Sequence, residues 1–327
     1  EDWIIPAAKD LRKDLGLAPA VYIEKWLAAW VEEFGVDGFR CDTAKHVEPQ
    51  YWGMLKDACT DALKKWRADP TKEDNSGAKE WDENFWMTGE CWGWTAIGGG
   101  GEYYNQGKFD SMVNFSFNGQ NSWDGNYRGN YPKADAWNSY LNINKNGDSD
   151  RNGNRDNVLT YISSHDTGLT RVGDQYEVGT GLVLLPGGVQ IYYGDESYRE
   201  KAYVGCGDGD MMTRGDMNLN EAKTSGVTAH WGKVGNFRKY NPAVGAGKGS
   251  ACKRTYTGPA GDNKVAIGIS GASVDVSGLF TDGTTVYNWY DGKSAQVSGG
   301  KVTFTGGSMK QPILVSDRNP ADCGVTF

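Results

Sequence analysis

The chain has 327 residues, 38% hydrophobic and 12% aromatic, with a formal net charge of −8. That length supports one large unit plus a small one, and an acidic balance without a basic tract argues against nucleic acid and anionic membranes as partners. No apolar run reaches the roughly 18 residues a membrane-spanning helix needs; no secretory leader is visible, and the first residue, Glu1, reads as a cut or chosen start.

In chain order, PAVYIEKWLAAWVEEFG (19–35) has apolar residues at helical spacing and stops at Gly35. A short strand, VDGFRCD, follows. The run 48–67 is again helical, with Pro49 near its start, and the polar stretch 68–84 reads as a loop. FWMTGE (85–90), FDSMVNFSF (109–117) and VLTYISSHD (158–166) read as strands. EVGTGLVLLPGG (177–188) is helical until Pro186, and VQIYYGDE (189–196) is the next predicted strand. Short apolar strands thus alternate with helices, the pattern of an α/β parallel sheet covered on both faces. Several strands end in Asp, Glu or His-Asp, which predicts a (β/α) barrel with its site on the C-terminal face. After about residue 245 the pattern becomes all-β: KVAIGIS, VDVSG, TTVYNWY, KVTFTG and QPILVS are separated by Gly, Asp and Ser turns. The boundary falls within NPAVGAGKGS, giving units of 1–245 and 246–327.

The 13 Trp and 17 Tyr would suit stacking on sugar rings, but composition alone favours a large core. The six cysteines lack CxxC spacing, so a zinc site is not expected. Cys41, Cys59 and Cys91 fall in apolar elements and read as buried thiols. Cys252 and Cys323 bracket the last segment and could pair in an exported protein.

Three strand ends carry the chemistry. FRCDTAKH contains Arg40, Asp42, Lys45 and His46; TGECWGW contains Glu90; SSHDT contains His165 and Asp166. A lone carboxylate at a strand end is usually a cap or an ion pair. Three converging at one barrel mouth repel one another and need compensating cations; Arg40, Lys45, His46 and His165 are candidates, holding Asp42 ionised. Glu90 lies among Trp86, Trp92 and Trp94, surroundings that favour its protonated form. An ionised nucleophile paired with a protonated acid is what glycoside hydrolysis requires.

GFRCDTAKH resembles the nucleophile motif of the α-amylase family of glycoside hydrolases. TGECW resembles its acid/base strand and YISSHDT its third catalytic strand, in the same order and at compatible gaps. LLPGGVQIYYGDE resembles the last barrel strand, and IPAAKDLRKD the segment before the nucleophile strand. The resemblance implies Asp42 as nucleophile, Glu90 as acid/base and Asp166 as stabiliser of the oxocarbenium-like transition state. Arg40 would orient Asp42, and His165 would contact the sugar at the cleavage point. Lys45 and His46 would lie on the leaving-group side. Read from the residues alone, the rings of Trp92, Trp94, Tyr103 and Tyr104 near the mouth suit sugar platforms and lid packing about equally, with Trp92 the candidate substrate contact. The resemblance further implies retaining endo-hydrolysis of α-1,4-glucosidic bonds in starch and maltooligosaccharides, with carboxyl oxygens of Asp42 and Glu90 about 5–5.5 Å apart. The alternatives are a transglycosylase or α-glucosidase of the same family, or a non-catalytic glucan-binding fragment.

The family's earlier Asp-Asn-His motif is not found. The implied fold is therefore a partial (β/α)8 TIM barrel, strands four to eight, followed by a small all-β sandwich, with the N-terminal half of the same protein as a partner. The family also implies a structural calcium, to which His46 could offer its backbone carbonyl, and an extracellular or periplasmic location. NKNGDSDRNGNRD (144–156) begins like a calcium loop but has Leu159 at the twelfth position, and a polar turn-rich loop is the simpler reading. GGGG (98–101) lacks the Lys-Ser/Thr of a phosphate loop and reads as a flexible connection. His230 with Trp231 reads as a surface or packing pair.

Overall fold

The computed structural model describes residues 5–74, 77–95, 101–117, 131–141, 158–167, 169, 174–197 and 213–327. The calcium-like loop at 144–156, Gly98 to Gly100 and Cys206 lie outside these.

Helix α1 (Pro19–Phe34) starts on a proline and ends at Gly35, whose φ of 67° is left-handed and whose N–H caps Val31 O at 2.9 Å. It packs along α2 (Pro49–Ala68). Strand β1 (Gly38–Cys41) lies between them in sequence. There follow β2 (Trp86–Gly89), α3 (Gly101–Asn105), β3 (Ser111–Asn114), α4 (Ala134–Leu141), β4 (Val158–Thr160), α5 (Gln175–Val183) and β5 (Gly188–Val189). The five strands form one sheet in sequence order, every neighbouring pair parallel. Parallel neighbours need a crossover, and each link here carries a helix. All five strands therefore end on the same edge of the sheet, where the polar residues predicted as the site are found.

The strand predicted over 189–196 is much shorter than expected. Only Gly188–Val189 pairs with β4, followed by one further bond from Gln190 N–H to Thr160 O. Beyond that, acidic side chains take the backbone donors. Asp195 accepts from Tyr192 N–H at 3.3 Å and Glu196 from Gly194 N–H at 3.0 Å, so the chain turns.

Helices α6 (Leu219–Thr224), α7 (Gly226–Tyr240) and α8 (Ala243–Ala246) lead into the β-rich segment. Its strands are β6 (Lys248–Gly249), β7 (Lys253–Tyr256), β8 (Asn263–Gly268), β9 (Ser273–Asp275), β10 (Thr285–Asn288), β11 (Ser294–Gln296), β12 (Lys301–Thr303) and β13 (Ile313–Ser316). Six form an antiparallel sheet in the order β11-β10-β13-β8-β7-β6, and β9 pairs with β12. Side chains alternate faces along a strand, and β8 shows the consequence. Val265 and Ile267 join the larger core with Val234 and Phe237 of α7, whereas Ala266 faces a second core with Val274, Val302 and Phe304. On β13, Leu314 takes the first face and Ile313 and Val315 the second. The fully buried Arg254 of β7 crosses the same junction, donating to the carbonyls of Leu184, Val244 and Ala251.

His230 and Trp231 are both buried, so the pair serves packing. The Cys252–Cys323 pairing does not form: both are free thiols, as are Cys41, Cys59 and Cys91. Each is instead used as a small apolar group against the larger core, and burial pushes the Cys252 thiol up.

Candidate active site

The edge where the parallel strands end holds an open cavity of about 230 Å³, lined by Arg40, Glu90, Phe115, His165, Asp166 and Gln190 among others. That is below the 300–1,000 Å³ usual for an enclosed ligand site, as befits a cleft open on one side. Four of the predicted site residues, from three strands, meet here.

Arg40 projects from β1, and its guanidinium bonds to Asp42. Asp42 follows β1 directly and is 63% exposed; it reaches the cavity through Arg40 rather than lining it. Glu90 follows β2 and is 4% exposed. One of its oxygens, Oε2, accepts the backbone N–H of Thr43 at 2.9 Å; the other, Oε1, is buried and has no hydrogen-bond partner among the described residues. A buried carboxylate oxygen without a donor is costly, and here it belongs to a side chain lining the cavity. The strand predicted over 158–166 pairs only as β4, Val158–Thr160; past its end the chain bends, and His165 Nε2 lies 2.8 Å from Asp166 Oδ2, with Arg214 3.9 Å from Asp166 Oδ1. The backbone N–H of Asp166 bonds Ser164 Oγ at 3.2 Å, and Thr213 donates to His165 O at 2.6 Å.

Several expectations need correction. Of the four cations expected to compensate Asp42, only Arg40 touches it. His165 serves Asp166, and Lys45 and His46 stand exposed on the single 3-10 turn Ala44–His46, without an ion pair among the described residues. Nor do three tryptophans wrap Glu90. Trp94 is buried, but Trp86 and Trp92 are exposed, Trp86 because it opens β2 on the outward face. Trp92 is near the site through its edge contact with Phe115, at 5.2 Å between ring centroids. Thr43, Arg214, Gln190 and Phe115 went unpredicted. Phe115 was legible as part of an apolar strand; Arg214, far along the chain and outside any strand, had no local signal.

Calcium typically takes about six to eight oxygen ligands. Among the described residues no group of three or more His, Cys, Asp or Glu could hold a metal ion. The His46 carbonyl is a single oxygen, so these residues do not by themselves fit a calcium site. No helix among them is long and apolar enough to cross a membrane.

Comparison with known proteins gives the family. The family described as alpha amylase, catalytic domain, matches residues 18–229. The chain belongs to that family. It is 38% identical over 244 residues to the periplasmic alpha-amylase of Escherichia coli K12, covering 71% of this chain and 32% of that protein. It is 28% identical over 213 residues to an alpha-amylase of Streptomyces lividans, covering 60% of this chain and 20% of that protein. The chain thus spans a third or less of the length of these relatives. An Anoxybacillus alpha-amylase crystal structure superposes with a TM-score of 0.59 at 17% identity, over 91% of this chain and 63% of that one, a likeness of fold.

Proposed function

We propose that this chain carries the catalytic carboxylates of a retaining endo-acting α-1,4-glucan hydrolase. The observation that supports it is the state of Glu90: a buried carboxyl with one oxygen held by a backbone donor and the other open, in a cavity shared with Arg40, His165 and Asp166. In this reading Glu90 protonates the glycosidic oxygen while Asp42, oriented by Arg40, attacks the anomeric carbon. Water then enters, Glu90 takes its proton, and the glycosyl–Asp42 ester is hydrolysed with retention. Asp166, with His165 and Arg214 beside it, binds sugar hydroxyls and stabilises the developing positive charge. Lys45 and His46 lie on the leaving-group side, and Trp92, beside Phe115, offers a ring to the substrate.

The parallel strands are read as barrel strands four to eight within residues 1–245, and residues 246–327 as the C-terminal β-sandwich. A stripe of exposed apolar residues on α1, Ile23, Trp26, Trp30 and Phe34, supports an N-terminal part of the same barrel as its cover. A structural calcium would need oxygens from outside the described residues. Likeness to a periplasmic relative supports a periplasmic or extracellular location.

The test is hydrolysis of maltoheptaose by a preparation of verified intact mass, with NMR of the fresh products and Glu90→Gln as control. Release of α-anomers that ceases in the variant supports the assignment. Release of β-anomers, or an unchanged rate in the variant, overturns it. Silence from residues 1–327, followed by activity on adding an N-terminal barrel segment, keeps the roles and assigns the missing wall to that segment.

A further inference from the structure

Thr43 is one of two non-glycine residues with positive φ among the described residues, at φ 47° and ψ 41°. A β-branched side chain is an outlier in this left-handed region. The three hydrogen bonds around it explain what the conformation achieves. Glu90 N–H bonds Cys41 O at 2.8 Å, continuing the β1–β2 ladder; Ala44 N–H bonds Glu90 O at 2.6 Å; and Thr43 N–H, between them, leaves the ladder for the Glu90 carboxylate at 2.9 Å. The left-handed turn thus sends two successive backbone donors to one residue, Thr43 N–H to its carboxylate and Ala44 N–H to its backbone carbonyl. The peptide carrying the Thr43 N–H is the one joining Asp42 to Thr43.

We infer that the Asp42–Thr43 peptide N–H is the positioning group that couples the two carboxylates: it fixes Glu90 at a set reach from Asp42, and the left-handed Thr43 aims it. In the proposed reaction, on which this role rests, the spacing of nucleophile and acid decides whether attack and protonation fall on the same bond. It also makes Thr43 N–H the only described hydrogen bond to the Glu90 side chain, so no second donor replaces it when lost.

The decisive change removes the N–H alone. Replacing Thr43 by its α-hydroxy acid converts that amide to an ester; Thr43→Gly, which keeps the N–H and suits the left-handed region, is the paired control. The first readout needs no activity: 13C NMR titration of the Glu90 carboxyl carbon, identified by its absence in Glu90→Gln. A donor to a carboxylate favours the ionised form. Loss of the donor should therefore make the carboxyl carbon respond to pH in a higher range in the ester chain than in the parent, while Thr43→Gly follows the parent. In a preparation that cleaves maltoheptaose, the ester should lower kcat at least tenfold with little change in KM and carry the basic limb of the pH profile upward. An ester chain that is folded and titrates like the parent overturns the positioning role. If the parent cleaves nothing, the hydrolase reading is in question, and the titration still decides this one.

Discussion

Tyr290, in the turn after β10, holds its hydroxyl 2.8 Å from His230 Nδ1 of α7 and also donates to Lys310 O at 3.3 Å. On the other side of the ring, Thr180 donates to Met309 O at 2.6 Å and its oxygen lies 3.1 Å from His230 Nε2. One imidazole therefore joins α5, α7 and the β-rich segment. Tyr176 packs against its ring and favours the cation through a backbone hydrogen bond, while Lys233, over the Tyr290 ring, opposes it.

Burial lowers the His230 pKa from its ordinary 6.5 to about 4. The unfolded chain then binds a proton that the folded chain refuses, so stability is present above about pH 6.5 and falls as pH drops toward 4. The full effect is on the order of 3 kcal/mol. Urea midpoints of the parent and His230→Gln between pH 7 and pH 4.5 should converge as pH falls; parallel curves would exclude His230 as the titrating group.

Gly35 is predicted to be intolerant of any side chain. A Cβ there would sit 2.4 Å from the Trp66 indole, on backbone at φ 67°. Gly35→Ala should cost about 2–4 kcal/mol, combining the left-handed penalty with displacement of a packed ring. Equilibrium unfolding should show this, with a blue-shifted or weakened Trp66 signal in near-UV circular dichroism absent from Gly77→Ala, where the Cβ meets nothing within 4 Å.

Lys56, only 3% exposed, pairs with Asp110 and also donates to Phe85 O. Asp110 in turn accepts from Met87 N–H at 2.7 Å, so the pair pins α2 beneath β2 and β3. Lys56→Met leaves Asp110 without its cation and should destabilise by about 3 kcal/mol. Adding Asp110→Asn should recover part of that; a purely additive double mutant would mean that the two charges do not interact.

Arg40 and Asp42 make a second, more exposed pair whose loss should affect activity rather than folding. Arg40→Lys keeps the charge but not the planar fork. It should lower kcat on maltoheptaose by about 10²-fold while leaving the urea midpoint in place. A comparable fall in both would make Arg40 a structural residue.

Strand and helix were legible where an apolar face has its own period, in α1, β1, α2 and β2, whereas the short α3 and α4 were not read. Helix α7 was not read: Gly226, Gly232 and Gly235 dilute its pattern, and its start depends on the Ser225 side chain accepting from Val227 N–H. At the site, the carboxylates were visible as strand-end punctuation. The direction in which a side chain points was not, which is why Trp86 was placed beside Glu90 and proved to face outward. Thr43 is the deeper case. Nothing in its identity announces a left-handed backbone, since threonine disfavours it; only the hydrogen bonds of its neighbours require it.

Strand β8 places Val265 and Ile267 in one core and Ala266 in the other, and β13 does the same with Leu314 against Ile313 and Val315. The two strands are hydrogen-bonded neighbours, so neither core can lose its wall without the other losing the same strands. That arrangement makes cooperativity a property of the sheet itself. The β-rich segment is not an appendage that melts on its own: calorimetry should record one transition spanning both cores, and a cavity cut on either face of β8 should lower its midpoint without splitting it.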